Sequence, residues 1–325
     1  MKKFLIASTA LVALSGAAAA EITLSGDAQF GMKYDNRLWD AATGTTTSGV
    51  NVQSRARLTV TMTGETDSGL SFGAKFRPGN SGYTESRDKW SEVTTVWAEG
   101  SYGKLTVGDV DSAIENAIGD LPEIGTSGLE FYNEYYYLAT DAFADHDNKG
   151  VLYSYKFGDT TLFASFEDPY EAYSGTDWGR GQSWSIGAKY SVNQYTFGIG
   201  YSAGENFGAG RANSWGIAAE GDFNGLVAKF AFVETKDDVW KLRQIGLGAT
   251  YELANGVGLQ GFYKTDRYEY TGFSDGNVNT LGLGASYDLG GGAEVKGGIV
   301  YQKDKPGTGF NTSRTIADVG LKFKF

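Results

Sequence analysis

The sequence predicts an all-β fold: one closed antiparallel barrel of about sixteen strands that crosses a membrane. Apolar and polar residues alternate with a period of two in many segments, as they do in strands with two unlike faces. Short turns alternate with long polar links along the chain, which is the layout of barrels whose turns lie at one end and whose loops lie at the other. The composition combines 47 glycines and many aromatic residues with only 4 prolines, a mixture that favours many strands.

The first twenty residues are predicted to be a secretory leader that is not part of the fold. Lys2 and Lys3 precede the apolar run from Phe4 to Leu14, and Ala18, Ala19 and Ala20 form a small-residue cleavage site. The apolar run is too short to serve as a membrane anchor. The predicted domains are therefore a cleaved leader, residues 1–20, and a transmembrane barrel, residues 21–325.

The mature chain is predicted to be acidic and free of disulfides. Loss of the two leader lysines leaves 26 basic residues against 39 acidic ones, a net charge of −13. This charge argues against a nucleic-acid partner, because no basic surface is available to contact phosphates. The chain has no Cys, and its mean hydropathy of −0.30 suits a barrel, since half of each strand faces water.

The first predicted strands carry basic residues on their polar faces. In the first strand Ile22, Leu24 and Phe30 share one face, and Asp27 and Gln29 share the other. In a barrel surrounded by lipid the polar faces point into the lumen. We expect a pore-lining basic cluster there, the alternative being scattered surface charge. Its residues are Lys33, Arg55, Arg57, Lys75 and Arg77.

The segment after Leu105–Val107 interrupts the strand pattern. Its apolar residues, among them Val110, Ile114 and Ile118, follow the spacing of a short helix, and the sequence Gly-Asp-Leu-Pro at 119–122 predicts its end. No Lys or Arg occurs between Lys104 and Lys149. The acids of this stretch are Asp109, Asp111, Glu115, Asp120, Glu123, Glu130, Glu134, Asp141, Asp145 and Asp147.

Sites for chemistry are few. The glycine-rich runs at 282–284 and 290–292 are not followed by a helix, so turn and strand glycine is preferred over a nucleotide site. The chain's one histidine, His146, has no nucleophile motif nearby, so no enzyme is predicted. No cofactor is required. Asp141, Asp145 and Asp147 are candidates for a structural calcium site, the alternative being a solvated acidic loop.

The second half of the chain repeats one hairpin pattern and ends on an aromatic strand. Residues 245–263, IGLGATYELANGVGLQGFY, resemble residues 281–301. The segment 240–245 slips register, and the pattern does not assign its faces. In the last strand Val319, Leu321, Phe323 and Phe325 point one way. A terminal aromatic in an exported chain is typical of strands that barrel-assembly machinery recognises.

Several of these segments are similar to the general diffusion porins of alphaproteobacteria. They are EITLSGDAQFGMKYD, SRARLTVTMTGETDSGLSFGAKF, YGKLTVGDV, LGLGASYDLGGGAEVKGGI and ADVGLKFKF, and the resemblance runs from Glu21 to Phe325. It implies a 16-stranded barrel assembled as a homotrimer in the outer membrane, in contact with its lipid and lipopolysaccharide. It also implies that the third long loop, about 110–149, folds inward, with Arg55, Arg57 and Arg77 opposite its acids.

The resemblance implies a porin that lets ions and small hydrophilic solutes diffuse passively. The alternative is a channel specific for one sugar or amino acid, which requires an aromatic track in the lumen. Tyr132, Tyr135, Tyr136 and Tyr137 are the candidates to begin such a track. Three further classes are a barrel enzyme, an adhesin and a plugged structural barrel. Measurements of conductance would distinguish them from a porin.

Overall fold

The computed structural model describes residues 20–40, 45–77, 93–137, 150–167, 180–206, 210–272, 274–307 and 310–325. In these ranges the chain forms sixteen strands, one short α-helix and one 3₁₀ turn. The strands are β1 Glu21–Asp40, β2 Thr45–Glu65, β3 Ser71–Arg77, β4 Val93–Gly100, β5 Gly103–Gly108, β6 Gly150–Phe157, β7 Thr160–Glu167, β8 Arg180–Val192, β9 Tyr195–Asn206, β10 Gly210–Phe223, β11 Leu226–Lys236, β12 Trp240–Glu252, β13 Val257–Tyr270, β14 Gly276–Gly290, β15 Ala293–Lys305 and β16 Thr312–Lys324. All but the last residue of the predicted leader lies outside the described residues.

The strands form one closed antiparallel barrel, as predicted. Each strand pairs with its neighbours in the chain, and β1 also pairs with β16, with Phe30 opposite Leu321. The closure extends to the last residue, since Gly26 and Phe325 exchange two backbone hydrogen bonds of 3.1 and 2.9 Å. Closure pairs the edge strands with each other, which is the condition for placing a sheet in lipid.

The two faces of the wall differ in the way that the alternation predicts. Large apolar side chains such as Leu24, Ile199 and Leu283 are exposed on the outer face. Small polar and charged side chains, among them Ser185 and Asp318, lie on the inner face and are buried. An apolar outer face and a polar inner face are those of a barrel with lipid outside and water inside.

Several strands are longer than their alternation predicts. The polar stretch 35–50, whose composition is that of a long link, is mostly hairpin, because β1 continues to Asp40 and β2 starts at Thr45. The segment 240–245, which the pattern did not assign, is the start of β12; Leu242 lies on the inner face and is buried, whereas Lys241 and Arg243 lie on the outer face. Near the loop end the outer face becomes polar, so alternation of hydrophobicity no longer marks the strand.

The segment after β5 folds inside the barrel and supplies most of its core. It contains helix α1, Ala113–Ile118, and a 3₁₀ turn, Leu129–Phe131. Ser112 caps the helix by accepting a hydrogen bond from the Glu115 backbone N–H, and the helix ends at Gly119, whose φ of 63° favours glycine. The predicted helix and its end are thus confirmed. Within the described residues, no helix is long and apolar enough to cross a membrane.

Candidate functional site

Helix α1 lies directly on the inner wall because glycines face it there. A Cβ atom added to Gly198 would lie 2.1 Å from the Ala117 carbonyl oxygen, and one added to Gly200 would lie 2.8 Å from Ile114 Cγ1. Only a residue without a side chain allows so close an approach. We call these residues and their equivalents further round the wall the glycine path. Its members are Gly187, Gly198, Gly200, Gly216, Gly246, Gly248, Gly282, Gly284 and Gly298.

The first turn of α1 is attached to the wall by two serines. Ser165 Oγ on β7 and Ser185 Oγ on β8 accept hydrogen bonds from the Ala113 backbone N–H, over 2.9 and 2.8 Å. The first N–H groups of a helix have no partner within the helix, and here the wall supplies one. The serines therefore fix where the segment leaves the strands and enters the lumen.

A single carboxylate on β16 holds the middle of the inserted segment. Asp318 accepts hydrogen bonds from the backbone N–H groups of Thr126 and Ser127, each at 2.9 Å, and from Ser127 Oγ, also at 2.9 Å. Thr126 Oγ1 in turn donates to the Lys296 carbonyl oxygen on β15. Bonds to an ionised acceptor are stronger than neutral ones, so this contact is a strong anchor.

A polar network on β12 and β13 holds the end of the segment. Gln244 accepts a hydrogen bond from the Tyr136 backbone N–H at 2.7 Å and donates to Asp266 at 2.9 Å. Lys264 is buried, lies 3.7 Å from Asp266 and donates to the Glu134 carbonyl oxygen. These contacts continue the attachment that α1 begins, so the segment follows the wall from β7 round to β16.

The predicted basic cluster lies on the wall nearly opposite α1. Arg55 and Arg57 are on β2, with Lys33 on β1 and Lys75 and Arg77 on β3, all on the inner face. The helix contacts β7 to β10, and β9 is seven strands from β2 in a ring of sixteen. The space between them is the narrowed lumen.

Asp27, which was not among the predicted site residues, joins two of the arginines. Arg57 donates from Nε and Nη2 to the Asp27 carboxylate at 2.9 and 3.1 Å, and Arg55 Nη2 donates to it at 3.2 Å. Arg55 also donates to Gln29 at 3.0 Å. A bidentate contact fixes the plane of a guanidinium group. The sequence signal for Asp27 was its place on the polar face, opposite Arg57 in the register.

The predicted acids are distributed along the inserted segment. Asp109 and Asp111 precede α1, Glu115 lies within it, and Asp120 follows it; Asp120 accepts a hydrogen bond from the Tyr135 backbone N–H at 3.1 Å. Burial raises the pKa of the Asp120 carboxyl above its ordinary value of 3.8.

The remaining acids have different surroundings. Glu123 lies 3.7 Å from Lys296, a partner that no sequence signal indicated. Glu134 is exposed. Glu130 lies in the 3₁₀ turn, and its side chain is not among the parts of the chain that the structure describes.

Two of the four tyrosines of the candidate aromatic track are buried, and the other two are half-buried. Tyr135 and Tyr137 are 4% and 1% exposed, so they pack against the wall and do not line the water path. The Tyr132 hydroxyl accepts a hydrogen bond from Arg314 at 2.8 Å, and the Tyr136 ring packs against Trp240. The tyrosines therefore serve mainly to seat the inserted segment.

The candidate calcium ligands Asp141, Asp145 and Asp147, and also His146, lie outside the described residues. The calcium site therefore stays a prediction. Within the described ranges, no group of three or more His, Cys, Asp or Glu residues is arranged to hold a metal ion.

Comparisons with known proteins identify the family. The model of the Gram-negative porin family matches residues 7–307. A porin from Rhodobacter capsulatus is 35% identical over 184 residues, which cover 56% of this chain and 56% of that protein. A porin from Fuscovulum blasticum is 26% identical over 279 residues, covering 74% of this chain and 93% of that one. A solved porin structure superposes with a TM-score of 0.73 and 28% identity, over 94% of this chain and all of that chain. With this match and a closed sixteen-stranded barrel, the chain belongs to the Gram-negative porin family.

Proposed function

We propose that the chain forms a water-filled pore in the outer membrane through which ions and small hydrophilic solutes diffuse passively. The observation that carries the proposal is the inserted segment, which is held along the inner wall from β7 round to β16. Its helix α1 faces the Asp27–Arg55–Arg57 group across the lumen. A sixteen-stranded barrel is wide enough to hold water even with such a segment inside.

Selectivity in this pore comes from width, charge and hydration, with no chemical step. Guanidinium groups on β2 and carboxylates on the inserted segment set up a field across the lumen. Dipolar solutes orient in this field and exchange water for charged groups, whereas apolar solutes lose ordered water and gain little. The size limit is set by how far the inserted segment reaches from the wall.

A channel specific for one solute is the second candidate, and the tyrosines weigh against it. Such a channel needs aromatic faces along the water path, but Tyr135 and Tyr137 are buried. Saturable block of the current by a single sugar or amino acid would favour the specific channel. We expect instead that solutes block the current weakly, and that solutes of equal size block it to a similar extent.

We further propose that the barrel works as a homotrimer surrounded by outer-membrane lipid and lipopolysaccharide. Strand β5 supports this, because it has only 6 residues before the chain turns inward. A strand needs about 9–11 residues to cross a bilayer, so this part of the wall is suited to contact with another protein surface. The molecular mass of the complex in a mild detergent tests the trimer.

Planar-bilayer recording tests the pore itself. The purified protein is expected to give stepwise conductance increments, and a barrel without them would not be a porin in function. Reversal potentials in a salt gradient then test the charges. Arg55→Ala is expected to shift the preference toward cations and Glu115→Ala toward anions, so unchanged potentials in both variants would contradict the transverse field while leaving the pore intact.

A further inference from the structure

Three large apolar side chains face the lumen on the inner wall of β4 to β7, where alternation otherwise places polar residues. Direct partners in a strand pair share a face. Such pairs lead from Ser165, which contacts helix α1, through Leu152 and Thr106 to Trp97. Phe163 has the same face, because it lies two residues from Ser165 on β7. We call Trp97, Leu152 and Phe163 the lumenal patch.

The lumenal patch is not part of the core under the inserted segment. Its three side chains are half-buried, and none of them is among the buried core residues or packs against that cluster. Because they are on the inner face, their exposed parts meet the water of the lumen. Apolar surface left exposed in a concave, water-filled part of a protein is typical of a ligand site.

The ring of Trp97 lies over a glycine. A Cβ atom added to Gly73, its direct partner on β3, would lie 2.3 Å from Trp97 Cζ2, so the ring covers the backbone there. The Lys104 ammonium group lies over the same ring, 5.2 Å from its centroid. A cation at this distance is attracted to the negative face of an indole. The indole is therefore held on the wall and presents a face that already attracts a charged group.

Each aromatic ring of the patch has two lysines at diagonal positions on the neighbouring strands. Every one of these lysines lies two residues from the direct partner of its ring, on the same inner face. Diagonal neighbours are about 7–8 Å apart, within reach of a long side chain. The lysines are Lys75 and Lys104 beside Trp97, and Lys156 and Lys189 beside Phe163.

The border of the patch is positive although the whole chain has a net charge of −11. The four ammonium groups outnumber the carboxylate of Glu99, which lies opposite Lys104 on the same face. Lys104 and Lys156 are each one residue from the turn end of their strands, nearer to that mouth of the barrel than the two rings. A solute that enters at the turn end therefore meets ammonium groups first and aromatic rings behind them.

The charge and the rings together select the class of occupant. It must offer negative charge to the lysines and a flat apolar face to Trp97 or Phe163. A small inorganic anion would leave the rings in water, and a neutral aromatic molecule would leave the lysines without a partner. An aromatic carboxylate offers both groups within one small solute.

We propose that the lumenal patch binds aromatic carboxylates, with the carboxylate at Lys104 or Lys156 and the ring on Trp97 or Phe163. The carboxylate draws the Lys104 ammonium group off the indole and so uncovers a face on which the solute stacks. One stack and exposed cations give weak binding, so the solute is retained briefly and blocks the current only weakly. The inference rests on the proposed pore, since solutes reach the patch only through a water-filled mouth.

A ligand-observed NMR titration of the full barrel in detergent tests the proposal, with benzoate as the probe. Benzamide has the ring without the charge, acetate has the charge without the ring, and micelles without protein give the background. Benzoate is expected to bind at least about fivefold more tightly than either comparison. Binding of benzamide or acetate as tight as that of benzoate would overturn the proposal.

Removal of either half of the site should weaken benzoate binding by at least about fivefold. Lys104→Gln combined with Lys156→Gln removes charge, and Trp97→Ala combined with Phe163→Ala removes the rings. Trp97→Phe keeps an aromatic ring and should bind benzoate nearly as the native protein does. Native affinity in either double variant would contradict the site, as would a loss in Trp97→Phe equal to that of the alanine pair.

A matched control removes two other inner-face lysines at the turn end, by Lys322→Gln combined with Lys324→Gln. These lie on β16 opposite Gln29 and Asp27, away from the patch, and benzoate affinity should be native. An equal loss in this control would refute the assignment.

Stepwise conductance of the same samples verifies that each barrel is folded and tests the pore separately. Normal conductance without benzoate binding would refute the site alone, and benzoate binding without conductance would refute the pore alone.

Discussion

The carboxylate of Asp318 on the last strand accepts hydrogen bonds from the backbone N–H of Thr126, 192 residues earlier in the chain, at 2.9 and 3.1 Å. Asp318 is 8% exposed, so these bonds are shielded from water. A side chain on the strand that closes the barrel thus holds the segment that narrows it.

Asp318→Asn is expected to loosen the inserted segment. The amide replaces an ionised acceptor with a weaker one and turns an N–H donor toward N–H groups, which we expect to cost about 2 kcal/mol of unfolding free energy. Single-channel records should show more rapid closures and greater open-channel noise. Asp288→Asn, at a turn where the carboxylate accepts a hydrogen bond from the Gly290 backbone N–H of the same turn, is the matched control. Equal noise in the two variants would contradict the anchor.

Gly198→Ala is expected to displace helix α1. The new Cβ atom would meet the Ala117 carbonyl oxygen at 2.1 Å, so the helix must move toward the pore axis. Overpacking of this kind typically costs about 1–3 kcal/mol, and it should lower both the guanidinium unfolding midpoint and the conductance.

Gly261→Ala is the comparison, since its Cβ atom lies on the outer face, 3.3 Å from a flexible Leu283 methyl group. A conductance loss as large in this variant as in Gly198→Ala would show that the close helix contact is not the cause.

Asp27→Asn is expected to make the pore more selective for anions. Asp27 balances the charge of Arg55 and Arg57, and its removal leaves both guanidinium groups uncompensated on the β2 wall. The reversal potential in a potassium chloride gradient measures the change. Asp159→Asn, in the exposed turn between β6 and β7, removes the same charge far from the arginines and should leave the potential unaltered. A shift toward cations in Asp27→Asn would refute the assignment.

Asp120→Asn is expected to flatten the pH dependence of stability above pH 3.8. Burial raises the pKa of Asp120 in the folded chain, so the folded state binds its proton more tightly than the unfolded state. This contribution is complete below pH 3.8 and is lost as pH rises through the raised pKa. Between pH 3.8 and the raised pKa, the variant should therefore gain stability relative to the native protein, and it should keep this gain at neutral pH.

Urea titrations at a series of pH values measure this difference. The asparagine keeps a carbonyl oxygen for the Tyr135 N–H, so the hydrogen bond itself is retained. The unfolding free energy of Asp67→Asn, a substitution in an exposed turn, should change with pH in parallel with that of the native protein. The explanation fails if the difference between Asp120→Asn and the native protein does not vary with pH.

The barrel could be predicted from the sequence because each strand is recognisable from its own residues. Alternation gives the face of each residue, as for Leu24 and Asp27, and turn chemistry separates one strand from the next. The helix at Ala113–Ile118 was predicted by the same kind of local periodicity. Where the outer face leaves the lipid, as at Lys241 and Arg243, local hydrophobicity no longer follows the strand, so the pattern assigned no faces there.

The contacts that seat the inserted segment could not be predicted from local pattern. Gly198 and Gly200 looked like ordinary strand glycines, since nothing near them in the chain indicates that a helix lies on them. Asp318 is likewise one polar residue among several on the inner face of β16. Its role depends on Thr126 arriving from a distant segment, and only the folded chain brings the two together.

The glycine path has a mechanical consequence. The segment that it accommodates touches the wall at β7 to β10, at β12 and β13, and at β15 and β16, so it acts as an internal brace for the cylinder. A braced cylinder resists flattening by lateral pressure, and any deformation of its cross-section displaces the brace. The aperture of this pore is thereby coupled elastically to the shape of the wall around it.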